Sequence, residues 1–471
     1  MPELDLAAVH LTIEGIGARG GGVCTVTRGH LGSLPRVKKA LERRGIRLTP
    51  YFVETHFGPT FGNFDPEFRA SAEQEIRAMG GEYYTALNAS PNGHPISCNW
   101  PGGEDFFGTI DQIKLESIGG ASIARNIGRR HDKTVVWCHD TFYILSPVYG
   151  TMQDNDETIQ WIRVVHSTTL KHDAEPVDPF KIGAEFASFY WAKRFPNVRI
   201  GTISGFVSDH LVADYAADPA TIIPTGNGVD PLDPKYRVRS QDYCEAKVEE
   251  YNQKLQAEGK ERYVIPKDRK IVLQFGRPVP YKRMENTFDA VKELGADYQA
   301  VVVSLGPAPY LEEAADRVGR NCTVVSAFDY DLCASISQLD RCVAIPILAK
   351  GEPFGLIPPE VRLLVRSSGG LLIVAEDGGG LREQVRDGID GFVAPDATGP
   401  AVAEVVRKVE ALPDDRKKAT RGAGVGTVFE GGYTWAGRIL ETLSAVVPEV
   451  KTVAADVLAQ ISAEERAHIG G

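Results

Sequence analysis

Two glutamates, Glu352 and Glu360, stand eight positions apart in KGEPFGLIPPEVRL (350–363), directly after the apolar run CVAIPILA (342–349). Carboxylates are strong hydrogen-bond acceptors and costly to bury unpartnered, so two of them at the mouth of a strand–turn–helix unit point to a polar ligand. Pro358 and Pro359 are tolerated only in a helix's first turn, which places the helix start near Gly355–Pro358 and Glu360 in the first or second turn. Continuous helix would separate the glutamates by about 12 Å; with Glu352 in a loop, both can face one ligand. The free N–H groups of residues 355–357 would meet an anion at the helix end. Hydroxyl acceptors on either side of a phosphate-binding helix end suit a molecule built like a nucleotide-sugar.

Other residues fit the same chemistry. In FGRPVPYKRMENTF (275–288), Arg277 follows the strand-like KIVLQFG (270–276), and Lys282 and Arg283 are expected to open the next helix. Doubly wound sheets bind ligands at the carboxyl ends of their strands, and a guanidinium can hold phosphate through two hydrogen bonds. After the first strand, GGGVCTVTRGHLGSLPRVKKAL (20–41) brings glycines that let backbone approach an anion. It is neither a Gly-x-Gly-x-x-Gly fingerprint nor a P-loop, and a plain tight turn explains it equally well. His139 and His166 end the apolar runs TVVWCH (134–139) and WIRVVH (161–166). Alone, a strand-end histidine is more often a satisfied structural residue than a functional one.

The elements that must position these residues alternate between short apolar runs and helical patterns, the mark of parallel α/β layers. In the first half the strand runs are AAVHLTI (7–13), RLTPYFV (47–53), 134–139, 161–166 and VRIGTIS (198–204). The second half repeats the scheme with 270–276, QAVVVSLG (299–306), CTVVSAF (322–328), 342–349 and GLLIVAE (370–376). Helices are expected over 33–45, 122–130, 283–295 and 400–412. Two segments break the rhythm. Residues 55–110, rich in Gly, Pro, Asn and aromatics, read as a long insertion, whereas ordinary connections run to about 4–6 residues. Residues 231–269 read as a charged helical excursion.

Bulk properties narrow the classes. A chain of 471 residues is too long for one core, so two domains are expected. With a formal net charge of −11 and no long basic block, nucleic acid and anionic membrane surfaces are poor partners. No stretch has the roughly 18 apolar residues of a membrane span, and MPELDLAAVH lacks a basic signal-peptide start. The 7 cysteines form no Cys-x-x-Cys pair and read as small buried residues of a reducing, cytoplasmic protein.

EPFGLIPPE resembles the Glu-x7-Glu signature of retaining glycosyltransferases of the GT-B fold, especially family four. GRPVPYK, AEDGGGLREQVRDGIDGFVAP (375–395), IPTGNGVDP (223–231) and YTWAGRIL (433–440) are similar to that family's other segments, in the same order. The resemblance implies an α/β fold of two Rossmann-like domains facing across a cleft. Residues 1–222 would form the acceptor-side domain with the 55–110 insertion, and 223–440 the nucleotide-sugar domain. Helices in 441–471 would return to the first domain.

It also implies roles. Arg277 and Lys282 would hold the diphosphate, Glu360 the ribose and Glu352 the donor sugar. Phe354, Gly355 and Leu356 would supply N–H groups, Gly21 and Gly22 would close over the phosphates, and Phe328 would lie at the nucleotide. His166 would stand at the sugar's reacting face; His139, Asp140, His56 and Trp100 would meet the acceptor. Catalysis falls to His166, Glu352, Arg277 and Lys282, with no metal or cofactor expected. The chain departs from the family pattern at VRLL (361–364), where small residues are usual, and in 55–110.

The reading is therefore a sugar transfer from a UDP- or GDP-linked donor to a small polar acceptor in specialised, antibiotic-type metabolism, with a homodimer left open. A nucleotide-sugar epimerase would turn over without acceptor. A non-catalytic nucleotide-sugar-binding subunit would bind donor and turn over nothing.

Overall fold

The computed structural model describes residues 4–17, 22–55, 64–86, 110–139, 141–152, 155–172, 178–319, 321–326 and 329–469. Gly21, His56, Trp100, Asp140 and Phe328 lie outside them. The chain divides into two compact units, Met1–Asp230 with Thr434–Ala467, and Pro231–Tyr433 with the last four residues.

The first unit is built on seven strands: β1 Leu4–Thr12, β2 Ile46–Glu54, β3 Glu82–Thr85, β4 Lys133–His139, β5 Ile159–Val165, β6 Val198–Thr202 and β7 Ile222–Pro224. They pair in parallel in the order β3-β2-β1-β4-β5-β6-β7. The second unit carries β8 Lys270–Gly276, β9 Tyr298–Ser304, β10 Cys322–Val325, β11 Cys342–Ile347, β12 Leu371–Ala375 and β13 Phe392–Ala394. Its order is β10-β9-β8-β11-β12-β13, again all parallel. Parallel strands need crossover helices on both faces, so their residues are buried on both sides; all of β9 is. Val402, Ala403, Val406 and Val409 of the helix Gly399–Glu410 pack into the second core.

Local chemistry sets the helix starts. Asp65 accepts from the N–H groups of Glu67 (3.0 Å) and Phe68 (2.9 Å) ahead of Pro66, opening the helix Pro66–Ala78. Thr434 caps Trp435–Val446 by accepting from Gly437 N–H at 3.1 Å. The Trp435 ring lies over Gly29, where a Cβ would come within 2.2 Å of the indole, so only glycine fits there.

Three expectations need correction. The helix expected from Ser33 begins at Gly22, because Val23, Val26, Thr27, His30, Leu31 and Leu34 already form a buried face at helical spacing. Glycines and β-branched residues hid that turn. Within 55–110, residues 64–86 form the Asp65-capped helix and β3, a strand of the sheet rather than part of an inserted loop, while 56–63 and 87–109 lie outside the described residues. The unit junctions fall at 230/231 and 433/434 rather than 222/223 and 440/441. β7 pairs with β6, and Trp435 packs on Gly29, both inside the first unit. Among the described cysteines all are free; Cys24 is half-buried and the others buried.

Glu116, fully buried on the helix Ile110–Gly128, has its pKa pushed up to about 8 by burial, against the pull of Tyr143 and Thr55 hydrogen bonds. The folded protein thus keeps a proton that the unfolded chain releases near 4.5. This group's contribution to stability falls as pH rises from about 4.5 to about 8, at most about 1.4 kcal/mol per pH unit. Glu116→Gln should therefore gain on wild type between pH 5 and pH 8 in urea unfolding. A stability difference that is the same at both pH values would contradict this.

Candidate active site

β8 and β11 lie side by side, so the loops that follow them open at one point of the second sheet. A short turn, Pro280–Lys282, follows β8, and residues 348–356 follow β11. Lys350 N–H donates to the Tyr281 carbonyl at 2.8 Å, tying the loops together. The Lys282 ammonium forms an ion pair with Glu352, and each side chain is only 13% exposed, so water screens the pair less than a surface one. Arg277 is exposed at the end of β8 and makes no ion pair among the described residues. Arg283 does not open a helix: with φ +49° it ends the turn, and the next helix starts at Asn286. Its guanidinium binds Asp377 at 2.6 and 2.9 Å and the Leu348 carbonyl at 2.7 Å, linking the ends of β11 and β12.

The turn from Glu352 to Glu360 is held from its backbone. Glu352 N–H donates to the Gly378 carbonyl (3.2 Å), and Gly380 N–H donates to the Glu352 carbonyl (2.8 Å). Gly355 has φ +77°, and a Cβ there would meet Leu381 at 2.2 Å. The Gln384 amide donates to the carbonyls of Phe354 (2.6 Å) and Gly355 (3.1 Å), while the Phe354 ring is buried beside Tyr433. The carbonyls are thereby occupied. Among the described residues, the N–H groups of Phe354, Gly355 and Leu356 donate to nothing. Leu356 opens the helix Ile357–Leu364 with no side-chain cap, and the prolines take its first positions. Open N–H groups at an uncapped helix start are chemically suited to an anion.

Glu360 accepts from Lys235 Nζ (3.0 Å) and Tyr236 O–H (3.3 Å). Burial opposes the Lys235 charge, but Glu360 and Asp233 outweigh it and hold the ammonium above its ordinary pKa. Its Nζ lies 5.2 Å from the Tyr330 ring centre. Each carboxylate therefore has its own lysine, and nothing in the sequence around Lys235 signals that role. Asp329 and Asp331 form an Asp-x-Asp shortly after β10, but both are structural. Asp329 caps the helix Tyr330–Gln338, and Asp331 pairs with Arg239 at 2.7 Å.

Beneath the helix Ile357–Leu364, Arg362 pairs with Asp390 at 3.1 Å, the two side chains 2% and 0% exposed. This accounts for VRLL: the arginine reaches beneath the site to Asp390 and the Gln384 carbonyl.

In the first unit, β1, β4 and β5 are adjacent, and His10, His139 and His166 form a row across their ends. His10 Nδ1 is 3.2 Å from His139 Nε2, and His139 Nδ1 is 3.2 Å from His166 Nε2. His139 is 1% exposed, and each of its ring nitrogens faces a histidine nitrogen. Burial holds the pKa of His10 and His139 well below the ordinary value and that of His30, packed edge-on against both, at about 3. His10, His30 and His139 each bring a ring nitrogen within 4.8 Å of the others, close enough to consider a metal. The loop after β1 is held by Glu54, which accepts from the N–H groups of Ile16 (2.9 Å) and Gly17 (2.7 Å). Gly22 is the exposed first residue of its helix. His10, inside AAVHLTI, was visible as a polar residue in an apolar strand; Glu54, Gln384 and Lys235 carried no such signal.

Arg362→Ala should cost about 3–5 kcal/mol by leaving the Asp390 carboxylate buried without its cation. Arg362→Ala with Asp390→Ala should recover part of that loss in denaturant unfolding. Additive losses in the double variant would contradict the pairing.

Residues 256–424 match the family model described as Glycosyl transferases group 1. No curated protein matches the sequence. Among solved structures, a glycosyltransferase from Rickettsia africae superposes with TM-score 0.60 at 16% identity, over 94% of this chain and 98% of that one. HepE of Anabaena, in complex with UDP and glucose, gives 0.58 at 15% identity, over 94% and 100%. A sucrose-phosphate synthase from Thermosynechococcus elongatus gives 0.56 at 15%, over 96% and 99%. Residues 256–424 are thus similar to the group 1 glycosyl transferases, in a chain with the two-sheet GT-B fold.

Proposed function

We propose that the chain is a retaining glycosyltransferase of the Glu-x7-Glu type, moving a sugar from a nucleoside-diphosphate donor to a small soluble acceptor. The observation that carries this reading is one strand-end turn with three open N–H groups, a Lys282–Glu352 pair at its start and a Lys235–Glu360 pair at its end. The N–H groups of Phe354, Gly355 and Leu356 take the diphosphate with Arg277 and Lys282. They also stabilise the negative charge that grows on it as the sugar departs, a role that asks for no metal. Glu360 accepts from the ribose hydroxyls and Glu352 from the donor sugar. His166 serves at the sugar.

Lys282 is shared between Glu352 and phosphate. Before donor binds, each neutralises the other, so the site does not hold a bare buried charge. When the diphosphate arrives, Lys282 can turn to it and release the Glu352 carboxylate for the sugar.

A UDP-linked donor is supported by the complex of HepE with UDP and glucose. A small soluble acceptor is supported by the likeness to the structure named sucrose-phosphate synthase. Among the described residues no helix is long and apolar enough to cross a membrane.

Calorimetric titration with UDP and GDP, followed by turnover with the matching sugar donors, tests the reading. Arg277→Ala should weaken nucleoside-diphosphate binding about tenfold, or 1.4 kcal/mol. Because Arg277 is exposed, stability should stay within about 0.5 kcal/mol of wild type. Unchanged affinity would remove Arg277 from the site.

The glutamates should separate kinetically. Glu352→Gln should lower kcat about 100-fold with donor KM little changed, because sugar contacts tighten as positive charge develops at the anomeric carbon. Glu360→Gln should instead raise donor KM about tenfold. Identical effects from both, confined to KM, would undo this division of roles.

A further inference from the structure

Glu360 is the ribose acceptor in the function proposed above, and its two carboxylate oxygens have different surroundings. Oε1 accepts from Lys235 Nζ at 3.0 Å and from Tyr236 O–H at 3.3 Å. Among the described residues no donor reaches Oε2, and the side chain keeps 16% of its surface exposed. A carboxylate oxygen offers about two acceptor positions, and Lys235 with Tyr236 fills both on Oε1. The two hydroxyls of a ribose therefore cannot each take one oxygen.

Both donors come from one short turn, Pro234–Tyr236, which is itself firmly held. The Asp233 side chain caps it by accepting from Lys235 N–H at 3.0 Å, and Pro234 fills its first position. The Lys235 carbonyl accepts from Arg239 at 3.3 Å and the Tyr236 carbonyl from Arg366. Tyr236 is 2% exposed, so its hydroxyl is fixed where it meets Glu360. The Lys235 ammonium also lies 3.6 Å from Asp233, and 4.8 and 5.2 Å from the ring centres of Tyr236 and Tyr330. A terminal carboxylate otherwise rotates within broad wells. Two donors from a fixed turn, both on one oxygen, stop that rotation and aim the other oxygen outward.

We propose that Lys235 and Tyr236 are positioning residues that hold Glu360 by one oxygen and leave the other for a single ribose hydroxyl of the donor. The inference rests on the reading of Glu360 as the ribose acceptor. It adds a specificity to that reading: one hydroxyl carries the contact, and its vicinal neighbour contributes little. Lys235 acts through Glu360 rather than on the phosphates, because its ammonium already stands between two carboxylates, Glu360 and Asp233.

The test is calorimetric titration of the whole chain with UDP and GDP, then with the 2′-deoxy and 3′-deoxy forms of whichever binds. One deoxy form should lose about tenfold in affinity and the other less than about threefold, because only one hydroxyl bonds to the charged oxygen. Equal losses from both overturn the inference. Lys235→Met keeps an apolar stem beside Tyr236 and Tyr330 but removes the ammonium. It should weaken the parent nucleotide about fivefold and leave the poorer deoxy form within about twofold of its wild-type affinity. Lys235→Arg, which restores a cation, should recover part of the lost preference. If Lys235→Met weakens all three ligands alike, the lysine is merely structural; if it tightens the parent nucleotide, Lys235 competes with the ribose. Either result overturns the inference. Should Lys235→Met not fold, Tyr236→Phe removes the other donor on Oε1 and gives the same comparison. A chain that binds neither UDP nor GDP removes the nucleotide-sugar reading and this inference with it. One that binds a nucleotide but shows no preference between its deoxy forms removes the inference alone.

Discussion

Lys282 and Glu352 are 70 residues apart in the chain and in contact in the fold. That contact depends on strand order. β8 and β11 are neighbours because the sheet is filled outward from β8, first through β9 and β10 on one side and then from β11 on the other. The reversal leaves two loops facing each other with no crossover helix between them, and this gap is where doubly wound sheets bind ligands. The first unit makes the same reversal at β1 and β4, and there the polar residues are His10 and His139. In each unit, the topology brings together side chains that local sequence alone would leave far apart.

Charge is arranged accordingly. A buried carboxylate or ammonium is stable only when paired. The second unit pairs Glu352 with Lys282, Glu360 with Lys235 and Arg362 with Asp390. Arg362–Asp390 lies deepest and supports the turn from below, while the other two pairs border the open N–H groups. Where β1, β4 and β5 run side by side, the first unit instead places the imidazoles of His10 and His139, which burial keeps neutral and hydrogen bonds join.

Much of this was legible in the sequence where one residue type has one physical use. The prolines at 358 and 359 marked a helix start, and KIVLQFG coincides with β8 to the residue. Glu352, Glu360 and Lys282 could be picked out because charges next to apolar strands need a reason. Lys235 could not, since its partner is 125 residues away and its own surroundings look like any charged surface. The early start of the Gly22–Glu42 helix was hidden because Val, Thr and Gly are weak helix formers, and only burial of their shared face stabilises that turn. For His139, sequence shows a histidine at a strand end but not the two histidines that face its ring nitrogens. Arg362 looked like a departure from a family pattern until its buried partner, 28 residues on, was seen.

The account's central claim is that this constellation transfers a sugar with retention at the anomeric carbon. The most direct measurement is the anomeric configuration of the product formed from an α-linked nucleoside-diphosphate sugar, read from the H1–H2 coupling in its proton spectrum. The account predicts an α-linked product, with the small coupling of a gluco- or galacto-configured α-glycoside. A β-linked product would contradict it.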